Sequence, residues 1–200
     1  MTNSIEIRGL CKSYGDFALK DVSLTLPGGT IMGLIGENGA GKTTTIKCIL
    51  NLIRRDAGEI TLMGRDNIRE ERLAKEDIGV VLDECFFHDS LRPRDVGRIL
   101  SPVFRDWDGG LYQDYLDKFQ LPEGKLIKDF SRGMKMKLSL AAALAHRPKL
   151  LILDEPTAGL DPIVRDEILD EFLGFICDEE HAILISSHIT SDLEKAADYI

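Results

Sequence analysis

Eight consecutive residues, Gly36-Glu37-Asn38-Gly39-Ala40-Gly41-Lys42-Thr43, fit the pattern G-x-x-x-x-G-K-[ST] at every fixed position. They follow an apolar run, Ile31-Met32-Gly33-Leu34-Ile35, and lead into a helical pattern from Thr43 to Ile53 with apolar residues at Ile46, Ile49, Leu50 and Ile53. Strand, loop and helix in that order make a phosphate cradle. Glycines let the backbone curl so that successive N–H groups point at one anion, and the helix N-terminus adds its positive end. Gly36, Glu37, Asn38, Gly39, Ala40, Gly41 and Thr44 are therefore expected around the phosphates. Lys42 is expected to reach the outer phosphates, and the Thr43 hydroxyl to ligate a magnesium ion.

The rest of the chain has to supply a sheet and a core for that loop, and 200 residues are enough for one large domain or a compact pair of subdomains. Apolar residues make up 44% and charged residues 30%, the balance of a soluble globular protein. With 25 Lys and Arg against 34 Asp and Glu the net charge is −9, which argues against a broad nucleic-acid surface. No apolar stretch approaches the roughly 20 residues of a membrane span. Met1 to Glu6 lacks the basic and apolar regions of a signal peptide. Cys11, Cys48, Cys85 and Cys177 form no C-x-x-C pair and read as reduced, mostly structural thiols of a cytosolic protein.

Ser4 to Leu10 and Ala18 to Leu26 alternate apolar and polar side chains, as half-buried strands do. Tyr14 lies between them, and on spacing alone reads as a ring covering a sheet edge. Glu59 to Met63 is expected as an antiparallel strand, Ile68 to Lys75 as a short charged helix, and Ile78 to Leu82 as a buried parallel strand. Residues 84–130 carry short helical patterns broken by Pro93, Pro102, Gly109-Gly110 and Pro122, the texture of a small helical subdomain inserted into an α/β core. Ser131 is placed to N-cap a helix running to about His146. A strand at Leu150–Leu153, a helix from Ile163 to Cys177, a strand at Ala182–Ile185 and a helix from Ser191 to Ala197 follow. Asp198-Tyr199-Ile200 reads as the approach to another strand, so the fold is expected to continue beyond Ile200.

Asp154 and Glu155 stand at the end of the buried run Leu150-Leu151-Ile152-Leu153. In α/β sheets, ligands bind outside the carboxyl ends of strands. Asp154 is there suited to hold magnesium, and Glu155 to polarise an attacking water. The segment Leu153-Asp154-Glu155-Pro156-Thr157-Ala158-Gly159-Leu160-Asp161-Pro162 resembles the Walker B and D-loop of ABC ATPases. Other motifs of that family follow in order across the chain: Tyr14, Phe130-Ser131-Arg132-Gly133-Met134 at the signature position, and His188 after Ser186-Ser187.

The resemblance implies an ABC ATPase fold: a P-loop core with a mixed or parallel sheet, N-terminal antiparallel strands and an inserted helical subdomain over about 84–146. It implies ATP and Mg2+ as cofactors, and Mg-dependent hydrolysis with Glu155, His188 and Lys42 as catalytic residues. Tyr14 is implied to stack on adenine, and Thr43, Asp154 and Asp83 to meet the metal. In such proteins two nucleotide domains pair head to tail around ATP, so Ser131 and Gly133 are implied to serve a second subunit's nucleotide, in a homo- or heterodimer, and Asp161 is implied to be nucleotide-binding. A separate transmembrane permease is the implied partner, nucleic acid is not, and the implied location is cytoplasmic, on the inner face of the cell membrane. Cys85, Phe86 and Phe87 are candidate permease contacts.

Two motifs depart from the family pattern. Arg132 replaces the first glycine of the signature and Met134 its glutamine, while Ser131 and Gly133 remain. Ser-x-Gly-Met followed by Lys135 and Lys137 is similar to a bacterial export-type branch that includes antibiotic and peptide exporters. Asp83 stands where a glutamine is expected to touch magnesium. An ionised Asp accepts hydrogen bonds but donates none, and is one methylene shorter. The leading reading is an ATP-hydrolysing subunit of a transporter. The alternatives are a non-transport ABC protein acting on ribosomes or DNA, and a regulatory subunit that dimerises with slow turnover.

Overall fold

The computed structural model describes residues 3–200; the leader-free reading of the N-terminus rests partly on Met1 and Thr2, which lie outside the described residues. In chain order the strands are β1 (Asn3–Tyr14), β2 (Phe17–Pro27), β3 (Ile31–Ile35), β4 (Ala57–Leu62), β5 (Arg65–Asp66), β6 (Ile78–Val81), β7 (Leu150–Asp154) and β8 (Ala182–Ser187). The helices are α1 (Lys42–Ile49), α2 (Glu71–Glu76), α3 (Pro93–Leu100), α4 (Gly109–Lys118), α5 (Arg132–Leu144), α6 (Pro162–Phe175) and α7 (Thr190–Ala196).

The alternating N-terminal runs pair as expected. An antiparallel sheet has the order β2-β1-β4-β5, and a parallel sheet the order β3-β8-β7-β6. Tyr14 is the last residue of β1, beside Phe17 of β2, so the two strands reach further than the alternation alone indicates. The register of β1 against β4 shifts between Arg8 and Cys11, where Gly58 sits at φ 93. A Cβ at Gly58 would lie 2.5 Å from the Gly9 carbonyl oxygen, so this crossing accepts only glycine.

The central parallel strands β7 and β8 are buried on both faces, and their side chains divide by the two-residue period. Leu150, Ile152, Ala182 and Leu184 join Ile5, Ile7 and Ile60 of the antiparallel sheet and Ile46 and Ile49 of α1 in one apolar cluster. Leu151, Leu153, Ile183 and Ile185 join α5, α6 and the helices of 84–130 in another. Each fully buried Leu or Ile contributes about 1.5–3 kcal/mol. Between β6 and β7 lie helices and a short 3-10 turn, with no strand. Their apolar side chains Val96, Tyr112, Leu116 and Ile127 share the cluster of the sheet face and do not form a separate core.

Five helices differ from their expected bounds: α6 and α7 by one or two residues, and α1, α2 and α5 where specific residues end or delay them. α1 ends at Ile49 and not at Ile53, because Asn51 adopts φ 52 and the buried Asn67 amide donates to the Cys48 and Ile49 carbonyls at 3.0 and 2.9 Å. α2 starts at Glu71 and not at Ile68, since Asp66 Oδ1 accepts from the Ile68 and Arg69 amides and holds that stretch in a turn. α5 ends at Leu144, two residues early, with Arg147 at φ 54. Near Ile200, Tyr199 forms a parallel bridge to Met32, and the Gly33 amide donates to its carbonyl. Of the four cysteines only Cys48 is buried, its thiol pushed up by burial; Cys177 is exposed, so the expectation of mostly structural thiols holds for one of them.

Candidate functional site: a phosphate loop and its carboxylates

β3 delivers the chain to the loop, and α1 begins immediately after Gly41, whose φ is 104. A Cβ at Gly41 would lie 2.5 Å from Leu19 Cδ2 and 3.0 Å from Phe17 Cζ, so β2 presses directly on the loop and excludes other residues there. No side chain caps the α1 N-terminus and no acidic residue lies in its first turn. Its free amides and dipole are therefore available to an anion. Glu37 through Thr44 line a hollow of about 440 Å³ together with Phe17, Asp83 and Glu155.

Lys42 is folded back into this hollow. Its ammonium donates to the Gly36 carbonyl at 2.5 Å and to the Glu37 carbonyl at 3.4 Å, and lies 3.1 Å from Glu155 Oε1. The other Glu155 oxygen, Oε2, is 2.6 Å from His188 Nδ1 and accepts from the His188 amide at 3.3 Å. The ionic pair is well shielded, with Lys42 and Glu155 side chains 9% and 13% exposed. A cation, a carboxylate and an imidazole thus form one chain at the mouth of the loop.

Glu155 is aimed by its backbone. It sits at φ 52, a conformation that costs a non-glycine residue about 1–2 kcal/mol. Its amide donates to Ser186 Oγ at 3.0 Å and to the Ser186 carbonyl at 3.1 Å, which holds the turn. Ser186 Oγ in turn donates to Asp154 Oδ1 at 2.6 Å, and both residues are buried. One serine at the end of β8 therefore sets both carboxylates. The loop beyond is tied down by a buried Thr157–Asp192 hydrogen bond of 2.7 Å, with Arg165 Nη1 3.7 Å from the same aspartate.

The structure brings Lys42, Thr43, Thr44, Glu155 and Asp83 to one hollow; His188 is bonded to Glu155, and Asp154 is linked to Glu155 through Ser186. Tyr14, Ser131, Gly133 and Asp161 lie outside the hollow. Tyr14 is 47% exposed, with the Lys12 ammonium 4.8 Å above its ring. Asp56 anchors that strand end by accepting from Lys12 Nζ and the Ser13 amide; these bonds hold its carboxyl below the ordinary range and raise Lys12 above its own. Ser131 Oγ accepts from the Met134 amide at 3.2 Å, capping α5 as expected, while Gly133 faces Val164. Asp161 caps α6 through the Val164 amide at 3.1 Å. Asp83 Oδ1 is engaged by Arg132 Nη2 at 2.9 Å.

Sequence reasoning missed Phe17, Ser186, Asp192 and Asn67. Phe17 sits in an ordinary alternating strand and carries no signal. Ser186 stands beside Ser187 at a strand end, and a hydroxyl level with Asp154 in the adjacent parallel strand was a readable hint.

The comparisons with known proteins agree with this geometry. The family model for ABC transporter matches residues 19–158. The bacitracin transport ATP-binding protein BcrA of Bacillus licheniformis is 34% identical over 100% of this chain, which spans 66% of that protein's length. The lantibiotic transport ATP-binding protein SrtF of Streptococcus pyogenes is 38% identical over 98% of the chain and 85% of SrtF. A solved structure of an ATP-binding subunit of an ABC transporter superposes with a TM-score of 0.88 at 27% identity, covering 98% of this chain and 84% of that one. With the phosphate loop, the Asp154–Glu155 strand end and His188 all in place, the chain belongs to the ABC transporter family of ATP-binding proteins.

Proposed function

We propose that the chain is the Mg-dependent ATPase subunit of an exporter, hydrolysing ATP to ADP and phosphate. The Lys42–Glu155–His188 chain carries this reading. A buried carboxylate, held in a strained conformation and shared between the phosphate-loop lysine and an imidazole, is where a water attacking a terminal phosphoryl group needs an acceptor. Lys42 orients the outer phosphates, Glu155 polarises the water and takes up its proton, and His188 fixes the carboxylate from the opposite side. Glu155 Oε1 is buried and has no well-aligned hydrogen bond besides its ion pair, so it has acceptor capacity to spare.

The donors present suit magnesium. Thr43 and Asp154 offer hard oxygens, with Asp83 on the rim, and magnesium is usually held by one or two carboxylates plus substrate phosphates. Among the described residues no three His, Cys, Asp or Glu side chains converge into a cage, and that mode of binding needs none. When bound, the ion neutralises charge on the phosphates.

Ser131 and Gly133 lie outside the hollow of their own chain, which supports the assignment of these residues to the nucleotide of a second subunit. No helix among the described residues is long and apolar enough to cross a membrane, and membrane attachment is assigned to a separate permease. An apolar groove of about 420 Å³, lined by Leu52, Val80, Phe86, Phe87, Leu100 and Phe104, suits a short permease helix. Phe86 is 73% exposed there, while Phe87 and Cys85 pack partly against the core. Export as the direction is supported by the Ser131–Lys137 signature variant and by the relatives whose names give bacitracin and lantibiotic transport.

Glu155→Gln tests the assignment. The variant is expected to bind ATP, lose about 10²–10⁴-fold in turnover and accumulate as a dimer in gel filtration. Turnover preserved in the variant, or no magnesium-dependent turnover by the wild type even with its permease, overturns the enzyme reading.

A further inference from the structure

Two cations in the first turn of α5 reach the segment that leaves β6. Arg132 Nη2 donates to Asp83 Oδ1 at 2.9 Å, and Lys135 Nζ to Asp89 Oδ1 at 3.1 Å. Arg132 also lies against the loop after β7, where a Cβ at Gly159 would meet Nη1 at 3.0 Å and the guanidinium carbon at 3.3 Å. Gly159, at φ 66, leaves the flat guanidinium room to reach across. Asp83 meanwhile lines the phosphate hollow with two other carboxylates, Glu37 and Glu155. Among the residues lining that hollow Lys42 is the one cation, and it is already shared with Glu155. Counted over side chains, a site for a polyanion therefore carries an excess of negative charge, and the cation that meets Asp83 comes from outside it.

We propose that Arg132 is a charge-compensating positioning residue: its guanidinium neutralises and aims Asp83, so that the hollow accepts a nucleoside triphosphate despite the added carboxylate. The two departures from the family pattern then form one exchange. The inference rests on the nucleotide reading above. Arginine suits the task better than lysine, because its planar fork can pass close to Gly159 while one amino group keeps its bond to Asp83. Both side chains are about half exposed, so the compensation is strongest at low salt and fades as salt rises.

A double-mutant cycle read by ATP binding tests this. ATP is titrated onto the full chain by fluorescence or calorimetry, with EDTA and then with magnesium, for wild type, Arg132→Gln, Asp83→Asn and the double variant. Arg132→Gln is expected to weaken magnesium-free ATP binding about fivefold, the scale of one charge pair in water-like surroundings. In the D83N background the same change is expected to shift affinity by less than about twofold, and Arg132→Lys to recover part of the loss. Equal weakening in both backgrounds, or none in either, overturns the proposal. Thermal melts establish that each variant is folded. Should Arg132→Gln not fold, Asp83→Asn decides alone: binding as tight as wild type or tighter is expected, and weaker binding overturns the inference. A wild-type chain that binds no ATP takes down the nucleotide reading, and this inference with it.

Discussion

At the phosphate loop, the Lys42 and Glu155 side chains are nearly enclosed, and His188, Ser186 and the Gly36 carbonyl share in fixing them. At the start of α5, Arg132 and Asp83 are 52% and 53% exposed and meet through a single link, and Ser131 has only its capping bond. Charges withdrawn from water interact strongly and reorganise little, so the first region is complete once the chain folds. Charges left in water interact weakly and follow salt and ligands. The second region stays open to adjustment by salt and by whatever ligand reaches it.

The sharpest way to break this contrast is at the buried end. Asp192→Ala removes the acceptor of Thr157 and the counter-charge of Arg165, leaving both groups uncompensated beneath the Glu155 loop. Breaking a buried ion pair from one side costs about 3–5 kcal/mol, and because Arg165 keeps some access to water the lower end applies. Urea denaturation is expected to show a loss of about 3 kcal/mol; a loss below about 1 kcal/mol removes the case for a rigid base under the site. Turnover should fall further than stability alone explains, since Glu155 loses its support.

At the exposed end, Ser131→Ala should cost the fold about 1 kcal/mol, the worth of one N-cap. The comparison holds only if that value stays well under the cost at Asp192 in the same denaturation series.

The smallest effect is proton-linked and lies behind the helices. His146 is buried, stacked on Phe104 with centroids 4.0 Å apart, and its Nε2 lies 3.1 Å from the Ile78 carbonyl oxygen. Burial pushes its pKa below the ordinary 6.5. Below pH 6.5 the unfolded chain takes up a proton that the folded chain refuses, so stability is full above that pH and declines as pH falls toward the lowered value. Denaturation midpoints at pH 7.5, 6.5 and 5.5 should fall in that order, and the slope should flatten in His146→Phe. An unchanged slope in the variant assigns the loss to the carboxylates.

Much of the site was legible because its chemistry is local. Gly36 to Thr43 is a turn, a charge and a helix start in eight residues, and Asp154 and Glu155 announce themselves as acids ending an apolar strand. The helices ended less legibly. Asn67 terminates α1 from a position eighteen residues beyond Ile49, and no pattern within α1 encodes a partner supplied from that far along the chain. The inserted helices read correctly as helices, yet their sharing of the sheet's own core is a packing outcome, invisible to periodicity.

By itself the amino-acid order determined that this chain binds a polyphosphate on a strand–loop–helix, in an α/β core with antiparallel strands at its N-terminus. Those features depend on residues within a few positions of one another, where backbone curl, periodicity and helix capping act. Tertiary structure alone decided that Ser186 sets both carboxylates, that Lys42 and His188 grip Glu155 from opposite sides, and that Asp83 faces Arg132 across forty-nine residues. Parallel strands bring distant residues level with one another, and side-chain hydrogen bonds and ion pairs form only after that register is set.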